Sequence, residues 1–102
     1  MTSLSYNKNL DKRKSFKELA EEVGNLVTEK NEAYGDSFAR CCFILKELYP
    51  NGITPEQYTD ALGIVRVIDK LFRIATRKKA FDESPWKDIT GYGLLGIFND
   101  QK

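Results

Sequence analysis

The chain has 102 residues, of which 41% are hydrophobic, and this is the size and apolar content of one domain with one core. Sixteen basic and fifteen acidic side chains leave a formal net charge of +1, which excludes the global field that drives nonspecific nucleic-acid or membrane binding. The absence of histidine removes imidazole ligands and His-activated nucleophiles, so we assign no catalytic residue.

The adjacent cysteines Cys41 and Cys42 fit neither a CxxC metal site nor a disulfide framework. We expect them to be small core or boundary residues in a reducing compartment, and we predict no metal site. No apolar run approaches the roughly 18 residues that a membrane span needs, and the N-terminus lacks the apolar core of a signal peptide. These features predict a cytoplasmic protein with no membrane partner and no specific nucleic-acid partner.

Residues 1–14 are polar and show no apolar period, which predicts a flexible basic leader before a single all-α domain over residues 15–102. Ser15 opens a capping box with Glu18 at the start of a first helix that ends near Tyr34-Gly35. Its predicted buried stripe comprises Phe16, Leu19, Ala20, Val23, Leu26 and Val27. The stripe continues onto Lys30, whose amine either reaches water or meets an anion.

Gly35 predicts a sharp corner, and Asp36 or Ser37 is expected to cap a second helix. The segment from Lys30 to Phe38 combines an amine, the Tyr34 phenol, a carboxylate, a hydroxyl and the free backbone amides of a helix start. Helix N-termini attract phosphate, and a glycine permits a ligand to approach closely. The alternative is a capped turn with aromatic side chains packed beneath it.

A cap, a proline and a capping-box glutamine in Thr54-Pro55-Glu56-Gln57 predict a third helix from Pro55 to about Lys78. Its predicted buried side comprises Tyr58, Ala61, Leu62, Val65, Ile68, Leu71, Phe72 and Ala75. Four cations share the opposite edge within roughly 60°, with Asp69 beside them; they are Arg66, Lys70, Arg73 and Arg77. Like charges at this spacing repel, which favours an anion-binding stripe over an ordinary solvated face.

Ser84-Pro85 predicts the start of a fourth helix, after a loop over residues 79–83. Trp86 with Tyr92 is interpreted either as a platform for a base or as core aromatics. Asp88 either reads a base or sugar, orients Arg73, or favours the helix start. Three glycines weaken this helix, so we expect a close backbone approach to another helix of this subunit or of a partner; they are Gly91, Gly93 and Gly96.

We therefore predict an all-α, compact bundle of about four helices that forms a homo-oligomer through helix four.

Three segments in this order resemble small phage and prophage proteins of the nucleotide-modification-associated domain type. They are Lys30-Asn31-x-x-Tyr34-Gly35-Asp36-Ser37-Phe38, Arg66-x-x-Asp69-Lys70-Leu71-x-Arg73-Ile74 and Asp82-Glu83-Ser84-Pro85-Trp86-x-Asp88-Ile89-x-Gly91-Tyr92. The resemblance covers about residues 21–97. It implies an all-α domain in a phage nucleotide context, remotely similar to all-α nucleoside triphosphate pyrophosphatases.

Those enzymes hold magnesium through the acidic motifs EExxE and ExxD. Glu18, Glu21 and Glu22 partly echo the first motif, but no ExxD follows in a helix interior. The leading hypothesis is therefore a phage-encoded protein, in the bacterial cytoplasm, that binds a phosphate-bearing nucleotide-derived small molecule and needs no cofactor. One form is a sponge that sequesters a host immune second messenger.

Two alternatives stay open, and enzymatic activity is not decided. One is a magnesium-dependent nucleotide pyrophosphohydrolase that uses these glutamates with Asp69 or Asp88. The other is an interaction protein that docks on an enzyme through the stripe. The predicted ligand-binding residues are Lys30, Tyr34, Asp36, Ser37, Arg66, Asp69, Lys70, Arg73, Arg77, Trp86, Asp88 and Tyr92.

Overall fold

The computed structural model describes residues 12–101, and all regular structure in that range is helical. The four helices are α1 Phe16–Ala33, α2 Ser37–Leu48, α3 Tyr58–Arg77 and α4 Pro85–Asp100, with short 3-10 turns at Pro55–Gln57 and Ala80–Asp82. The predicted all-α class and number of helices are confirmed. Most of the predicted leader, residues 1–11, lies outside the described range. None of the helices described is long and apolar enough to cross a membrane.

Two helix starts are fixed by the local hydrogen bonds that the sequence predicts. Ser15 Oγ accepts from the Glu18 amide while the Glu18 carboxylate accepts from the Ser15 amide. Thr54 and Gln57 form the same reciprocal box before α3. Asp36 does stand at the start of α2, but its side chain makes no capping bond. Its backbone is left-handed at φ 58°, whereas a capping side chain normally needs an extended backbone.

The buried residues lie along α3, which packs against α4 on one side and α2 on the other. The fully or nearly buried residues are Ala33, Ser37, Cys41, Ala61, Ile68, Arg73 and Pro85. Most of them are small, so the core of the single chain is thin. Cys41 is buried and Cys42 is exposed, as expected for a core residue beside a boundary residue.

Many side chains that the sequence predicts to be buried are exposed in the single chain, so this part of the prediction is wrong. Every α1 residue before Ala33 is exposed, and Phe16 retains 92% of its accessible surface. On α2, Phe38 is 94% exposed. The exposed members of the predicted α3 side are Tyr58, Leu62, Leu71 and Ala75, and the half-buried ones are Val65 and Phe72. These helices form where predicted, but among residues 12–101 no second surface lies against most of their apolar faces.

The overall dimensions also show that the molecule is less compact than a typical monomer of its length. The molecule measures 57 × 33 × 26 Å and its radius of gyration is 19.7 Å, whereas a compact chain of this length has a radius of about 13 Å. Its accessible surface is 8734 Å², against about 5,900 Å² for a compact monomer of 11.7 kDa. α1 contributes to this excess, because its only buried residue is its last one, Ala33.

The glycines of α4 do not mark a close approach within this subunit, and that part of the prediction is wrong. A Cβ atom added at Gly91, Gly93 or Gly96 would meet no heavy atom within 4 Å. The same holds for Gly63 on α3. Among residues 12–101, no other element of this subunit approaches the backbone at these positions.

Candidate functional site

The corner between α1 and α2 is built on Gly35, which has a left-handed φ of 60°. A Cβ atom at this position would clash with Oγ1 of Thr76, near the end of α3. Of the two alternatives open for Gly35, close approach of a ligand or a packed turn, the contact with Thr76 favours the packed turn, because Thr76 occupies the space beside Gly35. Arg40 closes the corner from α2, since its Nη1 donates to the Gly35 carbonyl at 3.2 Å. The corner is thus held against α3.

The backbone amides of the corner are already used. Those of residues 34–37 all donate to carbonyls of residues 30–34, and those of residues 39 and 40 donate to the Asp36 carbonyl. The prediction that this helix start offers free amides to phosphate is therefore wrong at these positions. Ser37 is buried at 4% exposure, whereas the Asp36 side chain stays exposed. Any ligand here has to be held mainly by side chains.

Lys70 is the centre of a polar cluster formed by three helices. Its Nζ lies 3.4 Å from Oη of Tyr34, at the end of α1, and 3.4 Å from Oδ2 of Asp88, in the first turn of α4. Only 16% of the Lys70 side chain is exposed. An ammonium group has three N–H donors, and among residues 12–101 these two oxygens are its only partners. These two oxygens account for two of the three donors.

The neighbours of Lys70 keep it charged. Burial alone lowers the pKa of a lysine, but the hydrogen bond from Lys70 to Tyr34 and the negative charge of Asp88 outweigh burial and raise its pKa above the ordinary value. The cluster therefore holds a cation that stays protonated at any physiological pH.

Among the predicted site residues, Arg73 departs most from its predicted exposure. It is only 1% exposed, so it does not share a solvent-facing edge with the other cations of the stripe. One of its Nη atoms donates to the Glu83 carbonyl, and its guanidinium lies 5.9 Å from the centre of the Phe81 ring. Its Nε is buried and has no hydrogen-bond partner. In this arrangement Arg73 anchors the loop between α3 and α4, and a ligand cannot reach it directly.

Phe81 joins the two predicted regions. Lys30 Nζ lies 5.9 Å from the centre of its ring, and Tyr34 meets it edge to face at 6.3 Å. The ring therefore has Lys30 near it from α1 and Arg73 near it from α3. The backbone of Phe81 is left-handed, at φ 62°.

The remaining predicted residues are distributed unevenly. Arg66 is exposed and lies 5.8 Å from the centre of the Tyr92 ring, which extends the cluster one turn along α3. Arg77 is exposed at the end of α3. Asp69 lies close enough to Cys41 of α2 that, after burial itself, its charge helps to raise the pKa of that thiol. It thus lies on the α2 side of α3. Trp86 is half exposed and is about 120° from Tyr92 around α4, so the two do not form one platform.

The acidic residues of the magnesium alternative do not converge. Among residues 12–101, no group of three or more His, Cys, Asp or Glu side chains is placed to hold a metal ion. The Glu18 carboxylate takes part in the capping box, and that of Glu22 pairs with Lys14. The pyrophosphohydrolase alternative therefore finds no ligand cluster in this part of the chain.

Several residues that shape the cluster are missed by the sequence analysis. Phe81, Arg40 and Thr76 lie outside the predicted buried stripes and the predicted site, and Glu83 contributes only a backbone carbonyl. A signal existed for Phe81, which is the single large apolar residue in the otherwise charged and small segment 77–84. The other three have no pattern that separates them from surface residues.

Comparison of the chain with models of protein families, with curated proteins and with solved structures finds no match in any of the three. The resemblance to phage proteins therefore stays a prediction from the sequence motifs.

Proposed function

We propose that this chain is a phage-encoded protein that binds a phosphate-bearing, nucleotide-derived small molecule at the cluster around Lys70. The observation that carries the proposal is the half-buried ammonium of Lys70, which is held between Tyr34 and Asp88. The three residues come from segments that the family resemblance also brings together. The cluster thereby gives the motifs a common location.

The charges around Lys70 favour an anion. Lys30 and Arg73 lie beside the Phe81 ring and Arg66 lies beside the Tyr92 ring, whereas Asp88 is the carboxylate paired with Lys70. Positive charge therefore exceeds negative charge locally, although the whole chain is nearly neutral. A protonated lysine and an exposed arginine suit phosphate oxygens, since both give charge-assisted hydrogen bonds.

The aromatic and acidic groups suit the rest of a nucleotide. The rings of Tyr34 and Tyr92 are half-buried beside the cations, so each offers an edge or a face to a base. The Asp88 carboxylate, whose side chain is 36% exposed, can accept hydrogen bonds from a sugar hydroxyl or a base amine. We assign Lys70 and Arg66 to the phosphates, with Lys30 and Arg77 as outer cations. Arg73 positions the loop that carries Phe81.

Sequestration is the biological form that we favour. Among residues 12–101 the cations around Lys70 are accompanied by no converging set of carboxylates, which suits holding a phosphate better than cleaving it. In a phage context such a protein would act as a sponge for a host immune second messenger, in the cytoplasm of the infected cell.

Retention and release test this proposal. The purified protein is incubated with cyclic dinucleotides and cyclic ADP-ribose isomers, separated from free compound, and denatured. We expect one of these compounds to be recovered unaltered, as judged by mass spectrometry. Recovery of none contradicts the binding proposal for these classes, and recovery of a hydrolysed product points to the enzyme alternative instead.

The matched variants are Lys70→Met and Lys46→Met. Both remove one positive charge, but Lys46 lies on α2 and contacts only the ring of Phe43 among residues 12–101. We expect Lys70→Met to abolish retention and Lys46→Met to preserve it. If both variants retain ligand equally, the site lies elsewhere. A pull-down from a lysate of infected cells separates the docking alternative, because a docking protein captures a protein partner, loses it on Arg66→Glu, and retains none of the small molecules even when unmodified.

A further inference from the structure

An open apolar groove runs along α3 between α2 and α4, away from the Gly35 corner. Its volume is about 990 Å³, and its walls carry large aliphatic side chains, among them Ile44, Leu62, Val67 and Ile89. Gly63, Gly93 and Gly96 line the same groove, and each faces open space where a Cβ would stand. Glycine within a helix is destabilising, so three of them along one groove indicate that something else packs against the backbone there.

α1 carries an exposed apolar stripe that could fill this groove. Its apolar residues recur at helical spacing from Phe16 to Val27 and are all exposed, with exposed fractions between 44% and 92% for the five large ones. This stripe is about 17 Å long at 1.5 Å per residue. The groove follows α3 from Thr59 to Leu71, which is about 18 Å. The lengths of the unfilled groove and of the uncovered stripe therefore agree.

We infer that α1 of a second copy of this chain lies in this groove, and that the protein is an oligomer built by exchange of α1. In the described conformation α1 does not lie in the groove of its own chain, because it is joined to α2 through the corner that Gly35 and Thr76 hold against α3. The accessible surface exceeds that of a compact monomer by about 2,800 Å². A standard interface takes about 800 Å² from each partner, so the excess is enough for a stable one.

This interface is separate from the ligand proposal, although Arg66 and Tyr92 border both the groove and the cluster. Loss of self-association and loss of ligand retention are read by different measurements. The inference therefore stands or fails independently of the identity of the ligand.

The first experiment is the mass of the protein in solution, by light scattering after gel filtration at micromolar concentration. We expect a dimer or a larger symmetric form for the unmodified chain, and a shift to the monomer mass for Val23→Glu. The control is Asn25→Glu, which adds the same charge on the opposite face of α1, about 160° away, and is expected to leave the mass unchanged. A monomeric unmodified chain, or equal effects of both variants, overturns the inference.

The second experiment identifies the surface and keeps the inference testable even if Val23→Glu fails to fold. In a Cys42→Ser background, one tagged chain carries Val23→Cys and an untagged chain carries Gly93→Cys. The two are mixed through an unfolding and refolding step and treated with a short bis-maleimide. We expect a cross-linked pair of different chains, and a much weaker one when Asn25→Cys replaces Val23→Cys.

Two outcomes of this experiment overturn the inference. Efficient cross-linking of Val23→Cys chains to each other without cross-linking to Gly93→Cys indicates that two α1 helices pair directly. Cross-linking within a single chain that carries both cysteines, without any between chains, indicates that α1 folds back on its own groove.

Discussion

Gly35→Ala is expected to destabilise the protein because the added Cβ atom causes both backbone strain and a steric clash. An L-residue in the left-handed region loses roughly 1–2 kcal/mol, and Gly35 has a φ of 60°. The new Cβ also meets Oγ1 of Thr76. Thr76 is exposed and can turn its hydroxyl aside, so we place this clash at about 1 kcal/mol, the lower end for overpacking. The total is about 2–3 kcal/mol.

The two costs are separated by a double-mutant cycle. Thr76→Ala removes the hydroxyl and leaves only its Cβ, at 3.5 Å from the added atom, which is ordinary van der Waals contact. In that background Gly35→Ala is expected to cost only the backbone strain of about 1–2 kcal/mol, so the coupling is about 1 kcal/mol.

Thermal unfolding followed by circular dichroism at one fixed protein concentration measures these differences. A loss of 2–3 kcal/mol corresponds to a decrease in Tm of about 10–20 °C for a domain of this size. Gly24→Ala is the matched control, because Gly24 lies within α1 with no neighbour within 4 Å of an added Cβ. It is expected to stabilise the helix by about 0.5–1 kcal/mol. A Gly35→Ala effect below about 0.5 kcal/mol, or one that is identical in both Thr76 backgrounds, refutes the reasoning.

Three further predictions concern the cluster, the thiols and α1. Asp88→Asn should cost about 1–2 kcal/mol in the free energy of unfolding, because it leaves Lys70 half-buried without its carboxylate. Because the pKa of Lys70 is raised in the folded state, the stability that its charge contributes is complete at neutral pH and is lost as the pH rises through the raised pKa. Urea titrations should therefore show the free energies of unfolding of the Asp88→Asn and unmodified proteins converging only at strongly alkaline pH. An equal difference in the free energy of unfolding at every pH would contradict this. Iodoacetamide should modify Cys42 in the native protein and Cys41 only after unfolding. Burial shields Cys41 from the reagent and is also the main cause of the raised pKa of its thiol. Mass spectrometry showing two labels on the native chain would contradict this. Ser15→Ala removes the capping box of α1 and should reduce stability by about 1 kcal/mol, and an unchanged Tm would argue against the cap.

The sequence predicts the helices well because their signals are local. Both capping boxes depend on residues three positions apart, and both form as predicted. Gly35 is predicted as a corner because few other residues permit a sharp turn between two helices. The predicted ligand-binding residues include Tyr34, Lys70 and Asp88, which the structure brings together, but the sequence does not predict that Lys70 contacts the other two.

The parts that the sequence does not predict depend on surfaces far apart in the chain or outside it. Apolar periodicity marks the α1 face as buried, but it does not say whether the covering surface belongs to the same molecule. Arg73 is treated as exposed because cations seldom lie in a core, and its burial depends on the loop that Phe81 and Glu83 place over it. The amides of residues 34–37 are not free because the carbonyls of residues 30–34 accept them, which spacing alone does not reveal.

Titration calorimetry with the compound retained most strongly tests the central claim, that the Lys70 cluster holds a phosphate-bearing nucleotide. Removing one charge-assisted hydrogen bond costs about 1.5–3 kcal/mol, so Lys70→Met should raise the Kd roughly 10-fold to 100-fold. Lys46→Met should leave the Kd unchanged. A Kd for Lys70→Met within about twofold of the unmodified protein, a difference below 0.5 kcal/mol, would contradict the claim.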